Sequence, residues 1–309
     1  MKFTKMHGCG NDYVYVDGAK EIIPAEKKPE IARFVSDRHF GIGSDGIIFI
    51  NPVEDEDVDF EMEMYNADGS RSEMCGNGIR CVAKYVYDKG LTSKKNLVIV
   101  SAGKKKYIDL TVDDSNKVSS VKVDMGAPIL EAELVPVDKS CLLEKTEKNQ
   151  NAGIAGGLDG SVKVDACIDT PIEVDGRVWN ITCVSMGNPH AVVFLPDDMD
   201  LTTFDIEKIG PKFENHKAFP RRTNTEFVKV DDRGNVHMRV WERGTGETLA
   251  CGTGCCATTV ACILNGHTDN TVAVHVLGGV VTCSWDGDLG SSVIMQGPAT
   301  TVFEGEIEV

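Results

Sequence analysis

No part of this 309-residue chain approaches the ~20 consecutive apolar residues that a membrane-spanning helix needs, which sets aside a helical membrane protein. Positive charge is scarce: 32 Lys and Arg stand against 48 Asp and Glu, a formal net charge of −16. That balance argues against a nucleic-acid partner, whose binders carry basic patches. It says little about a small zwitterionic ligand, which responds to local fields. Missing too is any C-x-x-C pair, the arrangement a thiol redox enzyme would want. Cys75-x5-Cys81 and Cys251-x3-Cys255-Cys256 do not supply the two paired spacings of a structural zinc site, so no metal is expected.

Cysteine itself is plentiful. Eleven residues at scattered spacings, an odd number, cannot all pair within the chain. The chain opens Met1-Lys2-Phe3-Thr4 without an apolar leader, and the expected compartment is therefore a reducing cytoplasm. With 41% hydrophobic and 26% charged residues the composition is that of an ordinary globular protein. The length exceeds the ~100–200 residues usual for one domain, so two domains are expected.

The most informative feature is a repeat. Cys75-Gly76-Asn77-Gly78 and Cys251-Gly252-Thr253-Gly254 lie 176 residues apart, each opening a helix-like run. At the same offset Phe60, Met62, Met64, Tyr65 and Asn66 match Val236, Met238, Val240, Trp241 and Glu242. Gly10-Asn11 matches Gly187-Asn188 at an offset of 177. A duplicated architecture with one cysteine at the same point of each half suggests two thiols serving one site. Inverting a stereocentre requires two such opposed acid/base groups.

Residues 13–17 and 47–50 read as strands, and Pro29 to His39 as a helix between them, started by the proline. Residues 60–65 alternate as a half-buried strand, and Gly78 to Lys89 is helical up to Gly90. Strand patterns follow at 97–101, 107–112 and 118–124. The second half restates this order: strands near 181–185 and 191–195, a helix near 204–214, strands near 225–230 and 236–241, and a helix from Gly254 to Leu264. Helices set among mostly sequential strands favour an α+β fold. Leu142 to Gly160 is polar, Gly/Asn-rich and aperiodic, and reads as a loop or inserted excursion. The seam is expected near Met125-Gly126-Ala127-Pro128, dividing the chain into 1–124, joined by a returning strand at 297–309, and 125–296.

Only the thiolate is a strong base, and a free cysteine with pKa ~8.5 is mostly protonated at neutral pH. A helix N-terminus favours the anion, so Cys75 and Cys251 are expected to have lowered pKa values. The N–H groups of Gly76, Asn77, Gly252 and Thr253 could hold a substrate carboxylate. No lysine or phosphate-cradle pattern suggests pyridoxal phosphate, and no cofactor is expected. Donors fixed at helix ends are another means of stabilising a carbanion.

Each residue also has a plainer reading. An isolated Cys-Gly is usually a small core residue, and Cys9, Cys81, Cys141, Cys167, Cys183, Cys255, Cys256, Cys262 and Cys283 are read so. Asn11, Asn188 and Asn224 could simply serve turns. His190 could be a satisfied core histidine, and Glu242-Arg243 an exposed ion pair of little value. For Cys75 and Cys251 the in-register repeat outweighs the plain reading.

Taken together, these segments resemble the diaminopimelate epimerase family. The resemblance rests on Lys5-Met6-His7-Gly8-Cys9-Gly10-Asn11-Asp12, on Arg38 to Gly46 (RHFGIGSDG), on Tyr65 to Ser70 (YNADGS) and on Met74 to Cys81 (MCGNGIRC). It continues through Val184 to His190 (VSMGNPH), Arg222 to Phe227 (RTNTEF), Trp241-Glu242-Arg243-Gly244 and Ala250 to Gly254 (ACGTG), up to Gly297-Pro298-Ala299. It implies a pyridoxal-independent epimerase interconverting LL- and meso-diaminopimelate, for lysine and peptidoglycan synthesis. It implies two pseudo-symmetric α+β domains, each a mostly antiparallel sheet wrapped around a central helix, with the site in the cleft between them. Cys75 and Cys251 would be the acid/base pair, with His190 and Glu242 supporting proton movement. Gly76, Asn77, Gly252 and Thr253 would bind the reacting carboxylate, and Asn11, Asn66, Asn188, Asn224, Glu242 and Arg243 the amino and distal groups. Phe303 stands where an aromatic residue helps dimerisation in some members, which implies a homodimer. Gly46 departs from the Gln of some members, so that substrate contact must be absent or replaced.

The nearest rival is a cofactor-independent racemase of the same fold acting on proline or hydroxyproline. The Arg222-Thr223-Asn224 and Glu242-Arg243 elements favour a substrate with a second charged end instead. A binding protein or an isomerase without thiol chemistry would have no need of both cysteines in register, and fold alone does not settle function.

Overall fold

In the computed structural model, which describes residues 1–72, 75–144, 154–155 and 164–309, the chain divides into two units. One comprises Met1–Asp124 with Gln296–Val309, the other Met125–Met295.

The first unit begins with a hairpin of β1 (Lys2–Gly8) and β2 (Asn11–Asp17). Its two-residue turn carries positive φ at both Cys9 (52°) and Gly10 (84°), the conformation that matches the twist of paired strands. This turn delivers Asn11. Helix α1 (Lys28–Ser36), with Pro29 in its first turn, leads to β3 (Gly46–Asn51), parallel to β2. Strand β4 (Phe60–Asn66) runs antiparallel to β3, β5 (Arg71–Ser72) hairpins onto β4, and α2 (Gly76–Asp88) follows. Strand β6 (Asn96–Ser101) lies parallel to β4, and β7 (Lys104–Val112) and β8 (Val118–Asp124) complete a meander.

The second unit opens with two short paired strands, β9 (Ile154–Ala155) and β10 (Val164–Asp165). Then come β11 (Thr170–Val174), β12 (Arg177–Ser185), β13 (Pro189–Phe194), α3 (Ile206–Glu214), β14 (Asn224–Asp232) and β15 (Asn235–Glu242). After them are β16 (Gly246–Thr248), α4 (Gly252–Leu264), β17 (Thr271–Val276), β18 (Gly279–Ser284) and β19 (Ile294–Gly297), after which β20 (Thr300–Glu306) belongs again to the first unit.

The pairings repeat. From β1 to β7 they run antiparallel, parallel, antiparallel, antiparallel, parallel, antiparallel. From β12 to β18 the same series recurs. Strand β20 lies antiparallel on β1 as β11 does on β12. The α+β fold with internal duplication is thus what the chain adopts.

Each sheet curls about one helix. Helix α2 packs against β1, β2, β6, β7 and β8, and α4 against β12, β13, β14, β17 and β18. Eleven of the thirteen α4 residues are buried, which an outer amphipathic helix would not show. Its Gly, Cys, Ala and Thr side chains are short enough for strands to approach on every side. Of the segment expected as a loop or insertion, residues 145–153 and 156–160 lie outside the described residues, as does Met74 of the first cysteine motif.

Candidate active site

Cys75 is the N-cap of α2, in extended conformation, and its Sγ accepts the Gly78 N–H at 3.2 Å. The thiol donates to Asn11 Oδ1 at 3.1 Å. Asn11 Nδ2 in turn donates to Asp45 Oδ2 at 2.8 Å, and Asn77 Nδ2 reaches Asn11 Oδ1 at 3.3 Å. Behind them the fully buried Arg80 donates to Asn77 Oδ1 at 2.8 Å and to the carbonyls of Gly76 and Pro298, both at 3.2 Å. The first unit therefore gathers Cys75, Gly76, Asn77 and Asn11. Asn66, at the end of β4, pairs with Gly46 across the strands and donates to Ser70 Oγ at 3.0 Å.

The Gly46 position leaves no room for a side chain. A Cβ there would stand 2.1 Å from the Tyr65 carbonyl and 2.9 Å from the Tyr13 ring. No longer residue could extend from this backbone without moving β4.

In the second unit Cys251 caps α4 in the same extended conformation and lies 3.4 Å from Thr253 Oγ1. Thr253 Oγ1 accepts from Asn188 Nδ2 at 3.2 Å, and Asn188 Oδ1 is 3.1 Å from His190 Nε2. His190 is fully buried, with Nδ1 2.7 Å from the equally buried Glu226 Oε1. Glu242, at the end of β15, accepts from Thr248 Oγ1 and from the Cys251 thiol. Asn224 is occupied at both ends of its amide: Oδ1 accepts the Arg243 N–H at 2.9 Å and Nδ2 donates to the Pro189 carbonyl at 2.8 Å. It fixes the turn that bears Arg243, whose guanidinium donates to the Arg221 carbonyl at 3.0 Å. Glu242 and Arg243 have separate partners and form no ion pair. Phe303 lies on the surface in β20, edge-on to Phe3 at 5.9 Å.

The electrostatics of Cys251 reverse the expectation of a lowered pKa. Burial pushes its thiol well above the ordinary value, and the charges of Glu242 and Glu226 push it the same way. Thr253 and the Gly254 N–H pull in the opposite direction without overcoming them. The helix end does favour a thiolate, but two carboxylates in a low-dielectric pocket outweigh half a charge. Glu242 is itself raised, first by desolvation.

Three residues that the sequence reading assigned no role hold these groups in place. Asp45 orients Asn11, Arg80 orients Asn77, and Glu226 meets His190. The readable signal was charge inside an apolar stretch: Arg80 between Ile79 and Cys81, and Glu226 before Phe227 and Val228. Asp45 gave no such signal.

The family model described as diaminopimelate epimerase matches residues 3–131 and 182–302. A diaminopimelate epimerase of Agathobacter rectalis is 53% identical, with all of both chains covered. One from Methanococcus maripaludis is 49% identical over the full length of both. One from Acetivibrio thermocellus is 48% identical over all of this chain and 99% of that one. Among solved structures, a Bacillus anthracis phenazine biosynthesis protein of the PhzF family superposes with a TM-score of 0.66 at 18% identity, covering 100% of this chain and 99% of that one. A hydroxyproline epimerase from Agrobacterium vitis gives 0.61 at 14% identity, covering 99% and 91%. At such identities these two likenesses concern the fold alone.

Proposed function

The chain belongs to the diaminopimelate epimerase family, and from that premise we propose how its residues act. It is an isomerase that interconverts LL- and meso-diaminopimelate in lysine biosynthesis. The reaction breaks one C–H bond and remakes it on the opposite face of the same carbon, so it needs one proton acceptor and one donor. Cys75 and Cys251 are those groups. One thiolate takes the α-proton and becomes a thiol, and the other thiol delivers its proton and becomes a thiolate. The enzyme is then ready for the reverse reaction. Cys251, held protonated by burial and two carboxylates, enters as the acid. Cys75, with the Gly78 N–H on its sulfur, enters as the base.

The carbanion between these steps is stabilised by charge placed beforehand. The first-turn N–H groups of α2 and α4, from Gly76, Asn77, Gly252 and Thr253, have no carbonyl partner within the helix and receive the reacting carboxylate. Glu242, bonded to the Cys251 thiol, relays protons there, and His190 is the second proton carrier. Asn11, Asn66 and Asn188 orient the amino group and the distal end. Arg243, on the turn held by Asn224, reads the distal carboxylate with Glu242 beside it. No step calls for a cofactor.

One observation carries this reading: two topologically identical units each place one cysteine at the N-cap of the helix at the centre of the sheet. The test is turnover in D2O with single stereoisomers, read by NMR. Product should carry solvent deuterium at the inverted carbon while recovered substrate carries little early in the reaction. Equal early labelling of both pools would point to a single exchanging base and defeat the pairing. Inversion of proline or hydroxyproline in preference to diaminopimelate would instead support the rival racemase.

The enzyme works as a homodimer in the cytoplasm, where its thiols stay reduced. Val302 and Phe303, 54% and 45% exposed on β20, give a second copy an apolar strip to cover. Sedimentation of the wild type and of Phe303→Asp tests this, with a monomeric wild type overturning it.

A further inference from the structure

The two halves agree in topology but differ behind the cysteine helix. In the first unit the third helical residue, Gly78, lies against Ile48: a Cβ on it would meet Ile48 Cδ1 at 2.8 Å and Cys75 Cβ at 3.3 Å. In the second, a Cβ on Gly254 would meet Glu226 Oε1 at 2.7 Å and Cys251 Cβ at 3.2 Å. Strand register makes the same match. Ile48 pairs with Tyr15 and Met64, and Glu226 with Val192 and Val240. Two residues earlier on each neighbouring strand, Tyr13 faces Gly46 and His190 faces Asn224. The duplication thus places Tyr13 and Ile48 in one half where the other has His190 and Glu226. The second half alone has a buried imidazole–carboxylate pair at this place.

That pair is not what packing alone would select. Glu226 is fully buried, and its second oxygen, Oε2, has no hydrogen-bond partner among the described residues. A carboxylate so placed opposes folding unless a charge or a hydrogen bond offsets it, and the other half shows that an isoleucine fits the space. What offsets it is His190, at 2.7 Å. A carboxylate can only accept, so Nδ1 carries a proton, and Nε2, 3.1 Å from the amide oxygen of Asn188, donates there when it carries one too.

We propose that Glu226 is a positioning residue for the epimerisation: by accepting the Nδ1–H of His190 it fixes the ring orientation and leaves Nε2 as the nitrogen that exchanges protons. A carboxylate behind a histidine acts this way in hydrolase triads, where it holds the tautomer and stabilises the imidazolium without itself being protonated. The inference rests on the role given to His190 in the proposed function.

The test uses the full-length enzyme with 15N-labelled histidine. Ring NMR of the wild type, assigned by comparison with His190→Gln, should show His190 protonated at Nδ1. Glu226→Ile, which copies the other half, should lose that signature and lower kcat at least a hundredfold. Glu226→Gln, which keeps an acceptor but removes the charge, should lower kcat at least tenfold. In both, KM for diaminopimelate should stay within about threefold, and circular dichroism should confirm the fold. A wild-type His190 unprotonated at Nδ1 overturns the proposal, and so does a well-folded Glu226→Ile with wild-type kcat. Full activity in His190→Gln would instead remove His190 from the mechanism, a separate failure. Should Glu226→Ile not fold, Glu226→Gln and the wild-type spectrum still decide.

Discussion

Asn11 Oδ1 stands 3.1 Å from the sulfur of Cys75 and accepts its thiol proton. That contact favours the thiol, whereas the Gly78 N–H on the other side of the sulfur favours the thiolate. Asn11 can accept in this way because its amide nitrogen is bound to Asp45, which settles which end of the side chain faces the sulfur. Asp45 therefore controls the orientation of a group next to a reacting atom.

Asp45→Ala should reduce kcat/KM about tenfold. A charge-assisted hydrogen bond is worth about 1.5–3 kcal/mol, and ~1.4 kcal/mol corresponds to one decade in rate. Steady-state kinetics check it. Unchanged kcat/KM would mean that Asn11 keeps its orientation unaided.

Cys251 should react slowly with iodoacetamide in the ligand-free enzyme, and Glu242→Gln should speed that reaction while slowing turnover. The Glu242 charge raises the thiol pKa, so neutralising it lowers that pKa and increases the thiolate fraction at a given pH. Greater reactivity combined with poorer catalysis separates a proton relay from general damage to the site. Peptide mapping of alkylated Cys251 reads the rate, and no acceleration in the variant would remove Glu242 from contact with the thiol.

Much of this arrangement was legible in the sequence, because duplication turns weak local signals into paired ones. A single Cys-Gly-x-Gly is ambiguous, but two at the same offset as the strands before them identify equivalent helix starts. Helices α2 and α4 begin at Gly76 and Gly252, two residues before the Gly78 and Gly254 expected from the sequence. Strands β1 and β11 were missed, since Lys2–Gly8 lacks clean alternation and Thr170–Val174 is short. The lowered pKa expected for Cys251 failed for a different reason. Helix ends are visible in sequence, but the burial of Cys251 is not, and Glu226, 25 residues earlier, comes near the thiol only because α4 packs against β14. Tertiary electrostatics of that kind leave no local trace.

Gly46→Ala should destabilise the protein by about 1–3 kcal/mol, the usual cost of forcing atoms into a packed region. The new Cβ would lie 2.1 Å from a backbone carbonyl, which cannot swing aside as a flexible side chain could. Urea unfolding measures the loss. A neutral result would show that β4 yields easily at Tyr65.

Arg243→Ala should cut kcat/KM for diaminopimelate at least tenfold while leaving thermal stability nearly unchanged. Among the described residues its guanidinium makes one hydrogen bond, to a main-chain carbonyl, and the turn itself is held through the backbone N–H by Asn224, which the substitution retains. A loss in stability as large as the loss in activity would make Arg243 a structural residue.

Alkaline pH should destabilise the enzyme before it touches most other groups. Burial raises Cys81 to about 11 and Cys262 to about 12, and it holds Cys251 well above the ordinary thiol range. Below pH ~9 these thiols are protonated in both the folded and unfolded chain and have no effect on the balance. Above it the unfolded thiols release protons while the folded ones keep theirs, so the unfolded state gains. Each thiol should lower stability by about 1.4 kcal/mol per pH unit until its folded pKa is reached. Urea midpoints measured under reductant should therefore fall steadily from pH 9 to 11, and Cys262→Ala, which removes one titrating group, should flatten the slope. A midpoint constant across that range would mean that the buried thiols ionise in the folded protein as readily as in the unfolded chain.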